Sequence, residues 1–176
     1  MLAELVLKNR SYRRFYQKHS VDLETLKDLV NLARLTASGG NVQPLKYILA
    51  CDPQMNALIF PHLTWAAFLK DWPGPDDGER PSAYIIILGD SAISQSFGCD
   101  HGIAAQTILL GASERGLGGC IIGTIHREKK GYITFLSDPW RTLLSVNRRH
   151  FDYPFSAQSL RLKASNQIRP MKSIGI

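Results

Sequence analysis

Residues 83–88 read Ala-Tyr-Ile-Ile-Ile-Leu. Six consecutive positions with almost nothing polar, three of them β-branched, leave neither face of an extended strand fit for water, so this segment must run centrally through a sheet. Two shorter runs read as companions, Tyr47-Ile48-Leu49-Ala50 and Cys120-Ile121-Ile122, the latter closed by Gly123 and expected to be buried as well. The rest of the chain has to cover them.

Helical spacing supplies that cover. Leu2, Leu5 and Val6 mark a short helix that ends in a basic cluster. Asp22 is placed to cap a second helix, with Val21 and Leu26 as its hydrophobic staple and Leu26, Leu29, Val30 and Ala33 as its stripe, stopped by Ser38-Gly39-Gly40. A third spans 100–115 and is too apolar for a surface, while Gly102, Ala105 and Gly111 let its neighbours approach closely and Gly116 ends it. Between the first two strands, residues 65–79 carry Pro73, Gly74, Pro75, Asp76, Asp77 and Gly78, and read as a mobile surface loop after a short apolar helix, of the kind that covers a site. Helices and strands are thus mixed in an α+β pattern. A length of 176 residues with 44% hydrophobic content fits one domain, 1–176.

Charge is divided unevenly. Residues 1–126 carry 11 basic against 12 acidic side chains, and residues 127–176 carry 10 against 3, so the whole excess behind the net +6 lies in the last 50 positions. Such asymmetry can mark a nucleic-acid arm, but here Trp140, Leu143, Leu144, Phe151, Tyr153 and Phe155 interrupt the basic residues. Nucleic acid is therefore not the expected partner. Nor is a membrane, since no apolar run approaches the ~20 residues that cross one. Glu4 and Lys8 argue against a signal peptide, and three widely spaced cysteines against a disulfide framework. The cytoplasm is the expected compartment.

Two short segments carry residue types that could bind a ligand. Arg10, Ser11, Arg13 and Arg14 put three guanidinium groups and a hydroxyl within five positions, an anion cradle, or else charges that compensate a helix C-terminus. Residues 37–44, Ala-Ser-Gly-Gly-Asn-Val-Gln-Pro, combine glycines with a hydroxyl and two amides. They suit the alternating donors and acceptors on the edge of a planar heterocycle, or equally a helix cap and turn. Cys99-Asp100-His101 resembles a catalytic set only in composition, because sequence neighbours rarely point at a common centre, and Asp100 is better explained as an N-cap. The histidines lack metal-site spacing, and Gly116-Leu117-Gly118-Gly119 follows a helix instead of opening one, which excludes a dinucleotide fingerprint.

Taken in order, these segments resemble the nitroreductase family of flavin-dependent oxidoreductases. Arg10-Ser11-Tyr12-Arg13-Arg14-Phe15 is similar to its R-S-x-R-x-F signature, and Ser38-Gly39-Gly40-Asn41-Val42-Gln43-Pro44 to its S-x-x-N-x-Q-P segment. The helix opening with Asp100 and the strand ending in Ile122-Gly123 resemble its central helix and following strand, so the likeness covers residues 2 to about 126. It implies an α/β sandwich with a mostly antiparallel central sheet, assembled as an intertwined homodimer. FMN would lie at the interface, reduced by NADH or NADPH and reoxidised by a small electron-poor acceptor such as a nitroaromatic or quinone. Carried onto matching positions, Arg10, Ser11 and Arg13 would hold the phosphate, ribityl chain and pyrimidine edge. Ser38, Gly39, Asn41 and Gln43 would approach the flavin from the partner subunit, and backbone around Ile122, Gly123, Thr124 and Ile125 would flank N5. No side chain need be a nucleophile; Arg13 is the candidate electrostatic stabiliser.

Asn9, Ala37 and Leu45 depart from the arginine, proline and aromatic common in the family. After His126 the closing strand and the C-terminal basic positions that complete the phosphate site are not evident, which reads as a divergent or frame-shifted end or as a subfamily variant whose basic tail rebuilds those contacts. These departures motivate a second expectation, a flavin-binding or interaction protein with little turnover.

Overall fold

A computed structural model describes residues 1–66 and 68–125 together with the backbone of 140–148. Among the described residues four antiparallel strands form one sheet in the order β1-β2-β4-β3, with β1 at Leu45–Ala50, β2 at Ala83–Gly89, β3 at Leu117–Ile122 and β4 at Trp140–Arg148. The apolar run predicted to be central is β2, which lies between β1 and β4. Ala83, Ile85 and Ile87 belong to one buried cluster, and Tyr84 and Ile86 to another. Both faces of the strand are therefore dry, as its composition demands.

Two expectations about the sheet are corrected. First, β3 is an edge strand and not a fully buried one: Cys120 and Ile122 are covered while Ile121 is 44% exposed, the alternation of a strand with one face on the core. Second, a closing strand does exist beyond residue 126. It is β4, paired with β2 from Ala83↔Val146 to Leu88↔Trp140 and with β3 from Leu117↔Arg148 to Ile122↔Leu143. Arg141, Thr142, Ser145, Asn147 and Arg148 break up its apolar positions, so it lacked the continuous hydrophobic signal expected of a central strand. The other readings placed on 126–176 fall on 126–139, on 149–176 and on the side chains of 140–148, which lie outside the described residues.

The helices are α1 at Leu2–Lys8, α2 at Leu23–Arg34, α3 at Pro53–Ile59 and α4 at Asp100–Glu114. The Asp22 carboxylate accepts from Thr25 N–H at 2.7 Å and caps α2 as expected. Leu26 and Leu29 of α2 and Ile108 of α4 are fully buried in the first cluster, each contributing about 1.5–3 kcal/mol by leaving water. Gly111 permits that contact, for a Cβ there would lie 2.4 Å from Leu32 Cδ1. The loop at 65–79 is tied into the fold: Trp65 is buried, and Gly74 comes so close that a Cβ would sit 2.7 Å from the indole. None of the described helices is long and apolar enough to cross a membrane.

Candidate functional site

The arginine segment leaves α1 and runs beside β3. Ser11 forms an isolated parallel bridge with Gly119, and Tyr12 N–H donates to Gly119 O at 3.0 Å. Phe15 is fully buried in the second cluster, and Phe15 N–H donates to Glu79 O at 2.9 Å. Bracketed by these anchors, Arg10 and Ser11 stay exposed while Arg13 is half-buried. Arg13 Nη1 donates to Ser11 O at 3.2 Å, but its Nε is buried with no hydrogen-bond partner among the described residues. An orphaned guanidinium nitrogen is costly unless a ligand supplies the acceptor. Burial pushes the nearby Cys120 thiol up, and the Arg13 charge and Ser11 hydroxyl draw it partly back.

The same strand leads to the second predicted element. Gly123 follows β3 four residues after Gly119, about 13 Å of extended chain. Leu63 bridges Ile125, and Thr64 N–H donates to Thr124 O at 3.1 Å, so the backbone at 123–125 is held against the entrance to the 65–79 loop. Gly123 is exposed, and a Cβ on it would meet nothing within 4 Å among the described residues. Arg10, Ser11 and Arg13 thus share one structural unit with Ile122, Gly123, Thr124 and Ile125.

The amide-bearing turn lies elsewhere, just before β1 at the opposite edge of the sheet. Three strand spacings separate β1 from β3, about 14 Å, so one chain does not bring Ser38, Gly39, Asn41 and Gln43 onto the arginine cradle. Gly40, Asn41 and Gln43 have φ of 57°, 56° and 52°, and Gln43 also precedes Pro44, where extended backbone is the norm. Each non-glycine residue held this way costs of order 1–3 kcal/mol. What compensates is a polar network. Ser38 Oγ accepts from Gln43 N–H at 2.9 Å, and Gln43 Nε2 donates to Asn41 Oδ1 at 3.0 Å.

The network ends on a residue whose part in it sequence reasoning missed. Asp100 is buried, and its carboxylate accepts from Ser38 Oγ at 2.9 Å and from Gly39 N–H at 3.0 Å. It is the first residue of α4 and not its cap, which falls on Cys99. In the sequence, an aspartate just ahead of an apolar helix carries the N-cap signal, and nothing local tells that its carboxylate is committed to a turn 61 residues away. That commitment also removes Asp100 from any Cys99-Asp100-His101 catalytic set. No group of three or more metal-ligating side chains occurs among the described residues.

Comparison with known proteins bears on the fold. The profile of the nitroreductase family matches residues 6–150, taking in β4. A nitroreductase family protein from Streptococcus pneumoniae TIGR4 superposes with a TM-score of 0.71 at 16% identity, over 96% of this chain and 99% of that one. A protein from Exiguobacterium sibiricum 255-15, crystallised in complex with FMN, gives 0.69 at 17% identity over 89% and 92% of the two chains. The enone reductase CLA-ER, which catalyses a step of gut-bacterial fatty acid saturation, gives 0.72 at 14% identity over 97% and 98%. At such identities the likeness is one of fold. No curated protein matches the chain.

Proposed function

The chain belongs to the nitroreductase family, and on that footing we propose that it is an FMN-dependent oxidoreductase, a single domain over 1–176 that carries hydride from NAD(P)H to an electron-poor acceptor such as a nitroaromatic or quinone. The observation that carries this reading is the orphaned, buried Nε of Arg13 in a cradle pinned to the strand that ends at the open backbone of Gly123. These residues suit an elongated anionic nucleotide. Arg10 and Ser11, exposed at one end, would take the phosphate and ribityl hydroxyls, and Arg13 the pyrimidine edge. Ile122, Gly123, Thr124 and Ile125 would leave the reactive side of the ring unobstructed.

FMN, when bound, supplies the redox chemistry, taking two electrons from a nicotinamide donor and passing them on. The protein's share is orientation and charge. Arg13 is the candidate for the cation that an electron-accepting ring needs beside it, already fixed by its bond to Ser11 O and so requiring little reorganisation. No side chain is assigned as nucleophile or proton donor.

A homodimer completes the proposal. Ser38, Gly39, Asn41 and Gln43 lie at the sheet edge opposite the cradle, so a second copy is the direct way for both segments to meet one flavin. Leu2, Val6 and Leu7 of α1 remain exposed, and no residue of α1 is buried, leaving apolar surface for such a partner. The test is spectroscopic. The purified protein is expected to be yellow or to take up FMN, to bleach on anaerobic addition of NADH or NADPH, and to regain colour with a quinone. A colourless protein that takes up no FMN overturns the proposal, and bound flavin that stays yellow under both donors supports a binding protein without turnover.

A further inference from the structure

We infer that Asp100 is a positioning residue for FMN, holding the 38–43 turn in the conformation that presents the Asn41 and Gln43 amides; this rests on the cofactor reading above. Both carboxylate oxygens are engaged, Oδ2 by the Ser38 hydroxyl and Oδ1 by Gly39 N–H. Because Ser38 Oγ in turn accepts from Gln43 N–H, the hold extends through one hydroxyl to the residue whose left-handed backbone is least natural, the one before Pro44. Gln43 then fixes Asn41 through its side-chain amide.

Packing alone does not do this work. The turn borders a partly open cavity of about 110 Å³ whose lining includes Ser38, Gln43, Tyr47 and Asp100, while Pro44, which follows it, is fully buried. Asn41, Val42 and Gln43 are exposed on the other side. Left without its carboxylate, the turn would relax toward ordinary backbone angles and carry both amides with it. The chemistry requires an acceptor at both oxygens. Asparagine can still receive Gly39 N–H, but its amide nitrogen is a donor, so the Ser38 O–H that Oδ2 accepts loses its acceptor there.

The experiment compares the full-length protein with D100N, S38A and the double variant, freed of flavin. It measures FMN dissociation constants by fluorescence titration and amide hydrogen exchange of the apoprotein by mass spectrometry. Asp100→Asn is expected to weaken FMN binding about tenfold, as loss of one link in a buried polar network does, and to speed exchange in peptides covering 38–45 with the rest of the chain unchanged. Ser38→Ala should do the same, and the double variant no more than either single one, because both cut one chain of bonds. Unchanged FMN affinity in D100N, or faster exchange throughout the chain, would overturn the inference; should D100N fail to fold, S38A decides by apoprotein exchange at 38–45, which loss of a direct flavin contact does not move, and unchanged exchange there overturns it. Failure of the parent protein to bind FMN ends the cofactor reading itself, and shows before any variant is compared.

Discussion

The two segments proposed to meet the flavin are built on opposite plans. The turn at 38–43 is satisfied from within: hydroxyl, amides and backbone N–H groups pair with one another or with Asp100. The cradle at 10–13 is anchored by its backbone but leaves the Nε of Arg13 without an acceptor among the described residues. One is preorganised at a cost in backbone strain, and the other holds a buried donor that the proposed ligand would satisfy. Affinity should therefore come chiefly from the cradle, and ring orientation from the turn.

The largest effect expected concerns assembly. If the two segments reach one flavin only across a dimer, dilution or an interface variant that yields monomers should abolish tight FMN binding, followed by sedimentation velocity with detection at the flavin band. A monomer that keeps full affinity would break the comparison, since one chain would then suffice. Next, Arg13→Ala should weaken FMN binding about 30- to 100-fold, the ~2–3 kcal/mol of a charge-assisted contact. Asn41→Ala should cost only about two- to tenfold, as one neutral hydrogen bond does. Equal losses in a titration of the two variants would mean that the segments do not divide the work.

A substitution away from both segments separates fold from site. Gly111→Val places a side chain where Leu32 already lies, and overpacking of this kind should lower unfolding free energy by about 1–3 kcal/mol in a denaturant titration, with FMN affinity of the folded protein near that of the parent. The smallest effect is a difference in labelling. Cys99 is exposed whereas Cys120 is buried, and burial raises the Cys120 thiol despite Arg13 and Ser11. A raised thiol holds less thiolate at any given pH. At pH 8 iodoacetamide should mark Cys99 and spare Cys120, with Cys120 labelling rising as the pH is taken above 9; mass spectrometry of the digest reads both. Early modification of Cys120 would mean that the cradle side of β3 is open to water.

Much of the fold was legible without coordinates because its signals are local. The unbroken apolar run at 83–88 could only be an inner strand, and it is. Val21, Asp22 and Leu26 announced the start of α2, whose cap is in place, and Gly111 announced the close helix contact that Leu32 makes. Gly116 ends α4 with φ of 74°. Both segments proposed to face the flavin were singled out by residue type, since guanidinium and amide groups keep their chemistry wherever the chain puts them.

What escaped the sequence depends on pairing over distance. β4 carries too many polar residues to declare itself, yet ladders on both sides make it an inner strand, because backbone hydrogen bonds are indifferent to side-chain polarity. β3 read as buried and is an edge, since a short apolar run does not say how many neighbours it will have. Asp100 read as a helix cap and is the anchor of a turn early in the chain. The sequence by itself determined which residues are apolar in what rhythm and which carry donors, because periodicity and functional groups are properties of neighbours along the chain. Only the tertiary structure decided strand order, the separation of the arginine cradle from the amide-bearing turn and the partner of a buried carboxylate, because those are set by which distant stretches fold against one another.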